Sequence, residues 1–227
     1  MRFEPMTVTL SIIKYPRRYI IFGFLSMAIF RLPLWLNRKL SFFKLMGSGK
    51  NGTFDIRPDL QQWALLIVWK DADAIADFMT GSFISRYWSW FGISRTHYYL
   101  EPLECHGKWD SKEPFGTNKT NSEYEGNIAV LTRATIRFNK LKAFWKNVNP
   151  VAMKMSDAKG FINSYGIGEI PWIKQATFSV WESKEDMRNF AYKMKEHADV
   201  IRKTRKENWY SEELFARFRV KEIKEIS

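Results

Sequence analysis

The chain has 227 residues, 45% hydrophobic and 16% aromatic, with 36 Lys+Arg against 24 Asp+Glu and a formal charge of +12. Eighteen Phe, ten Trp and nine Tyr exclude a disordered chain, because that much apolar surface offsets the entropy of ordering. The lone cysteine, Cys105, excludes an internal disulfide framework and any CxxC zinc site, and points to a reducing, cytoplasmic setting.

Residues 1–50 hold nine Lys/Arg and one Glu, residues 51–125 seven against eleven, and residues 126–227 twenty against twelve. This spread lacks the basic runs of a nucleic-acid arm, so nucleic acid is not expected as a partner. The first strand is predicted over 6–14 from the alternation in TVTLSII. Tyr19 to Phe30 follows as twelve apolar residues between Arg18 and Arg31, too few for a bilayer span of about 20. With no small-residue cleavage site behind it, the run is not read as a signal peptide. It is read as a core helix over 16–31, with lipid contact as the alternative. Arg17, Arg18, Arg31, Arg38 and Lys39 interleave there with Phe22, Phe24, Phe30 and Trp35, as suits the inner face of a membrane.

Strands over 41–47, 61–69 and 95–105 and a helix over 71–85 complete the first half. The polar, Gly-containing segment 107–126 reads as a linker or surface loop. The second half has strands over 127–137, 160–166, 174–181 and 213–221, with helices over 139–148 and 184–206. Ser183 opens the last helix with Asp186 at capping-box spacing.

The halves resemble each other. FFKLMGSG (Phe42 to Gly49) and QWALLIVWKDADAIADF (Gln62 to Phe78) align with FINSYGIG (Phe161 to Gly168) and KQATFSVWESKEDMRNF (Lys174 to Phe190). Gly47 and Gly49 answer Gly166 and Gly168, Val68-Trp69 answers Val180-Trp181, and Phe78 answers Phe190. Each copy reads βαββαβ, the ferredoxin-like order. The fold expected is α+β, with tandem ferredoxin-like repeats forming a single-chain dimeric α+β barrel. Residues 1–106 are the first repeat, 107–126 the linker and 127–227 the second repeat.

The copies differ on one strand face. Trp63, Leu65, Ile67 and Trp69 in the first become Gln175, Thr177, Ser179 and Trp181 in the second, while the opposite face stays apolar. Arg133 and Thr135 share a face of AVLTRATI, and Arg217 and Arg219 alternate with Ala216, Phe218 and Val220. An arginine in an apolar strand is costly to bury unless it meets an anion or several acceptors. Either Arg133 and Arg217 reach a barrel rim or pair with Glu212 or Glu213, or the second copy holds a polar, ligand-bearing pocket between sheet and helices.

His97 and His106 are not spaced as a metal pair. His197 shares a helical stripe with Met187, Phe190, Met194 and Ile201, at steps of three, four, three and four, on the side expected to face the polar strand. A satisfied core histidine and a metal ligand both remain open. A haem needs only one such axial histidine, which leaves the opposite iron position free for dioxygen.

The strings MGSG (Met46 to Gly49), KWDSKEPF (Lys108 to Phe115), AVLTRATI (Ala129 to Ile136), YGIGEIP (Tyr165 to Pro171), QATFSVW (Gln175 to Trp181) and YSEELFARFRV (Tyr210 to Val220) resemble the spheroidene monooxygenase family, the acyclic carotenoid 2-ketolases. The resemblance spans nearly the whole chain. It implies a haem iron enzyme that uses dioxygen and a ferredoxin-type donor to oxidise an acyclic carotenoid or similar large apolar substrate. It also fits haem enzymes on duplicated ferredoxin-like folds, whose proximal histidine lies on the late helix of the second repeat, the place of His197. On that basis His197 is the metal ligand, and Met194 and Ile201 join Arg133 or Arg217 as cofactor-binding residues. Arg133, Gln175, Thr177 and Ser179 are the catalytic candidates around bound oxygen. Cys105 as a thiolate ligand is the minor alternative. Haem chemistry of aldoxime dehydratase or peroxide-using type, and a non-enzymatic haem- or lipid-binding barrel, are the competing readings.

Overall fold

The computed structural model describes residues 6–50, 57–116, 124–193, 202–204 and 206–227, without the side chains of 148–154, 192 and 193. The first half runs β1 (Thr7–Lys14), α1 (Ile20–Ile29), α2 (Arg31–Leu36), β2 (Leu40–Gly49), β3 (Pro58–Trp69), α3 (Ala74–Gly81), α4 (Phe83–Phe91) and β4 (Ser94–Gly107). The second runs β5 (Ile128–Ile136), α5 (Leu141–Met155), β6 (Phe161–Ile170), β7 (Lys174–Trp181), α6 (Lys184–Arg188) and β8 (Tyr210–Ile226).

The helix expected over 71–85 is two helices. Ser82 adopts an extended conformation, and its Oγ accepts a hydrogen bond from the Ser85 N–H at 3.0 Å, ending α3 and capping α4. Ser183 caps α6 in the same way through the Asp186 N–H at 3.0 Å. The helix expected over 184–206 continues past α6 as a π-helical turn over Asn189–Lys193, a geometry frequent at functional sites.

The strands close an antiparallel barrel in the order β1-β3-β2-β6-β7-β5-β8-β4. Going around it, the first half supplies β4-β1-β3-β2 and the second β8-β5-β7-β6, the same internal order twice. The two seams are unequal. β2 meets β6 only at Gly47↔Gly168 and Ser48↔Ile167, whereas β4 and β8 pair from Arg95↔Ile226 to Gly107↔Leu214. Alternate residues point inward. Leu10, Leu66, Val68, Tyr98, Leu131, Phe178, Val180 and Phe218 fill the barrel, so its interior is a packed core.

Residues 108–116 belong to the segment expected as a linker or surface loop, and most of them are exposed. They fold back over one barrel mouth and bury Trp109 and Phe115 completely in that core. Gly107 makes the turn possible with φ +87°, and a Cβ there would lie 2.2 Å from the Glu213 carbonyl oxygen.

Candidate functional site

The strand residues that point outward face the helices, and here the halves diverge. In the first half, Phe43 and Leu45 of β2, Leu65, Ile67 and Trp69 of β3, and Ile13 of β1 pack against Ile75, Phe78, Ile84, Tyr87 and Trp88 of α3 and α4. Ser11 sits in the middle of this layer at 2% exposure and hydrogen-bonds His97 Nδ1 at 2.8 Å. His97 lies near Trp88, with ring centroids 5.8 Å apart. Burial, with Arg95 and Lys224 nearby, lowers the imidazole from 6.5 to about 4, so it is neutral at pH 7.

Pairing fixes the counterparts in the second half. Thr132 of β5 stands where Ser11 stands in β1: Thr132 pairs Thr177 as Ser11 pairs Leu65, and Thr177 pairs Gly166 as Leu65 pairs Leu45. Phe43, Leu45, Trp63, Leu65 and Ile67 are therefore replaced by Ser164, Gly166, Gln175, Thr177 and Ser179. Register also shifts the glycine alignment by two residues, so that Gly168 answers Gly47. The slip leaves every side chain on its expected face, because the strand period is two. The result is a layer of small and polar residues that is open to solvent at Thr132. Thr132, in mid-strand, is solvent-exposed where Ser11 is sealed, and Thr177 is half-buried where Leu65 is fully buried.

The three polar candidates on β7 share this surface. Gln175 Nε2 donates to the Ile170 carbonyl at 3.1 Å, and the residue lines a small solvent-open cleft of about 80 Å³ with Gly168, Trp145 and Trp172. The Thr177 side chain makes no hydrogen bond among the described residues. Ser179 is buried and accepts the Trp181 Nε1–H at 2.9 Å, which makes it a positioning group for that ring.

Arg217 of β8 also points outward, opposite Val130. Its Nη1 donates to Glu104 at 2.7 Å, so its carboxylate partner is Glu104 rather than Glu212 or Glu213. Its Nε is buried without a partner among the described residues. Across β5 from Ser179, with Val130 between them, this orphaned guanidinium donor suits a ligand that carries a carboxylate.

Arg133 lies elsewhere. Its strand neighbours Ala176 and Leu214 belong to the barrel core, so it points inward, away from Gln175, Thr177 and Ser179. It is 1% exposed and bound by Glu212, with Asp110 at 3.4 Å and Glu169 at 3.6 Å, and its guanidinium lies 5.6 Å from the centre of the Trp109 ring. Lys44 and Lys174 complete the cluster. Lys44 binds Asp110 and reaches Glu169 at 2.6 Å, while Lys174 reaches Asp110 at 2.6 Å. Partial burial raises the Asp110 carboxyl, but hydrogen bonds from Lys174 and Lys44 override it and hold the group at about 2. Glu212 is also raised by burial and brought below its ordinary value by the Ser111 and Asp110 N–H groups and by Arg133. This cluster clamps the 108–116 loop onto the barrel mouth.

Cys105 faces the barrel core, where burial and then the Glu113 charge push its thiol up to about 11, leaving it protonated and away from the open surface. His106 lies against Phe215, with centroids 5.0 Å apart. Met194, His197 and Ile201 lie outside the described residues. Among the described residues, no group of three or more His, Cys, Asp or Glu is placed to hold a metal ion. Thr132, Ser164, Gly166 and Gly168 were not singled out as site residues from the sequence. Comparing FINSYGIG with FFKLMGSG on alternate positions carries the signal, since the large residues of one face are missing from it.

These features define an α+β protein with a closed eight-stranded antiparallel barrel. Its two halves repeat one strand order, and among the described residues the second has the more polar helix-facing strands. Two aldoxime dehydratase crystal structures, one holding butyraldoxime, are similar in fold at TM-score 0.62 and 10% identity; each match covers 95% of this chain and 79% or 81% of theirs. No protein-family model matches the chain. It is 34% identical to spheroidene monooxygenase from Cereibacter sphaeroides, over 94% of this chain and 66% of that protein's length. With the enzyme of the same name from Rhodobacter capsulatus it shares 33% identity over 86% of this chain and 81% of that protein. A third from Rubrivivax gelatinosus is 30% identical over 78% and 67%. The chain belongs to the spheroidene monooxygenase family.

Proposed function

We propose that the protein is a haem-dependent monooxygenase acting on an acyclic carotenoid or similar large apolar substrate, with dioxygen and a ferredoxin-type electron donor. The observation that carries this reading is the open layer of the second half. Where the first half packs Phe43, Leu45, Leu65 and Ile67 under its helices, the second presents Ser164, Gly166, Thr177 and Ser179, with Thr132 exposed in mid-strand. The names of its relatives supply the reaction class and substrate. In this reading the halves are tandem ferredoxin-like repeats, joined in one chain as the two subunits of a dimeric α+β barrel are joined by symmetry, and the second has become the cofactor-bearing copy.

The residues fit a haem in one respect: the unpartnered Arg217 Nε–H, beside an Nη already engaged by Glu104, suits a propionate carboxylate. His197 is the proposed axial ligand, with Met194 and Ile201 beside it on the helical stripe. When bound, haem supplies the dioxygen chemistry that no amino-acid side chain performs. The chain's own part is to hold, orient and exclude water. Thr177 offers an uncommitted hydroxyl for donation to a bound ligand, and Gln175 an amide at the edge of the cleft. Ser179 locks Trp181 behind them. Arg133, enclosed by Glu212, Asp110 and Glu169, holds the barrel mouth instead.

Titrating the purified protein with haem tests the reading. A Soret band that His197→Ala shifts or weakens is expected, and absence of a band in the wild type would overturn it. With haem bound, dioxygen- and ferredoxin-dependent oxidation of an acyclic carotenoid is the expected activity. Turnover of aldoxime or peroxide in its place would retain the cofactor and replace the chemistry.

A further inference from the structure

We propose that the outer side of α1 and α2 docks the protein on the anionic surface of a lipid bilayer. Ile21, Leu25, Ala28, Leu32 and Trp35, at steps of four, three, four and three, form one helical side and are all exposed. Trp35 reaches 75% exposure, and Phe24, Ile29 and Leu36 widen the strip. Gly23, Ser26, Phe30 and Leu34 on the opposite side are buried. An apolar strip of this extent on a water-facing helix marks an interaction surface.

The helices cannot turn this side inward. Gly23 lies against Trp63, and a Cβ there would sit 2.5 Å from the indole nitrogen. Phe22 stacks on Phe91 with centroids 4.0 Å apart, and Phe30 packs on Tyr87 and Trp88.

The charge around the strip selects its occupant. From Pro5 to Phe54 the sequence has no Asp or Glu but eight Lys or Arg. Arg17 and Arg18 precede α1, Arg31 lies at the junction of the helices and Arg38 follows α2, all exposed. Apolar side chains flanked by cations, with a Trp at the edge, match a surface of anionic headgroups over acyl chains. A second copy of this chain fits worse, because a two-fold interface through the strip would bring these arginines near their own counterparts. The helical run Arg17–Leu36 is long and apolar enough to cross a membrane, but its inner side is committed to the protein, with Gly23, Ser26, Phe30 and Leu34 buried. The helices therefore lie in the plane of the interface. This claim rests on the surface itself and does not depend on the haem reading.

Sedimentation with vesicles tests it. The protein should pellet with vesicles of mixed phosphatidylglycerol and phosphatidylcholine and much less with phosphatidylcholine alone. Raising salt from about 0.05 to about 0.5 M should weaken binding. Leu32→Glu with Trp35→Glu should lower binding at least about tenfold, while the circular-dichroism melt stays where it is because both side chains are already in water. Wild-type protein left in the supernatant with anionic vesicles would overturn the proposal. So would a dimer by light scattering that the double variant converts to monomer, which would make a second copy the occupant.

Discussion

Trp69 packs on Phe78 with ring centroids 5.3 Å apart, and Trp181 packs on Phe190 at 5.1 Å, so one contact is made twice, at the far end of β3 and of β7. Each indole nitrogen even finds a hydroxyl at 2.9 Å, from Thr9 in one half and Ser179 in the other. Away from that shared end the halves part. In the first half β2 and β3 turn Phe, Leu, Ile and Trp side chains toward the helices, and in the second β6 and β7 turn Ser, Gly, Thr and Gln. The backbone plan is held in common while the volume of a single layer differs. One strand order can thus carry large apolar side chains in one half and small polar ones in the other by changing alternate residues on two or three strands.

The barrel interior is common to both halves, so its disruption should be the largest effect and should not distinguish them. Arg133→Met takes the cation from Glu212 beneath the 108–116 loop and leaves Asp110 and Glu169 to Lys44 and Lys174. A loss of about 3–5 kcal/mol is expected in urea denaturation. A variant of wild-type stability with abolished turnover would return Arg133 to catalysis.

The sealed half carries a pH signature. His97 titrates near 4 in the folded protein against about 6.5 when unfolded, so the unfolded chain binds its proton first on acidification. Stability from this residue is complete above pH 6.5 and drains as pH falls toward 4, by about 3 kcal/mol. Denaturation curves of wild type and His97→Phe, the residue type found at the equivalent Phe215, should converge across that window. Parallel curves would show that the imidazole is not sealed.

Opening the sealed half should cost stability alone. Leu65→Thr, which copies Thr177 into the first half, removes buried apolar atoms and adds a hydroxyl, for a loss of about 2–3 kcal/mol by thermal or urea unfolding. Haem affinity of the folded variant is expected to be unchanged, and a matching loss of affinity would deny that the halves are functionally separate.

Much of this architecture is written locally. Alternation in TVTLSII and ATFSVW fixes strands and shared faces, and the matched Phe78 and Phe190 anticipate the equivalent contacts with Trp69 and Trp181. The polar stripe of Gln175, Thr177 and Ser179 was legible for the same reason. What alternation does not contain is phase between strands. Thr132 and Arg133 are neighbours in AVLTRATI, and only pairing with β7 and β8 shows that Thr132 opens to the helices while Arg133 enters the core. The pairing of Arg133 with Glu212 was one of two readings the sequence left open. The plugging role of Trp109 and Phe115 was hidden because a polar loop composition masks two residues whose partners lie far away in the chain.

The central claim, that the second half's open layer is where the cofactor sits, is tested most directly by haem titration of Thr177→Leu/Gly166→Leu, which restores the leucines of the first half. The account predicts a folded protein whose Soret band is lost or whose haem affinity falls at least about tenfold, by steric filling of that layer. Wild-type affinity and spectrum in that variant would contradict it, since a cofactor undisturbed by two leucines there must bind elsewhere.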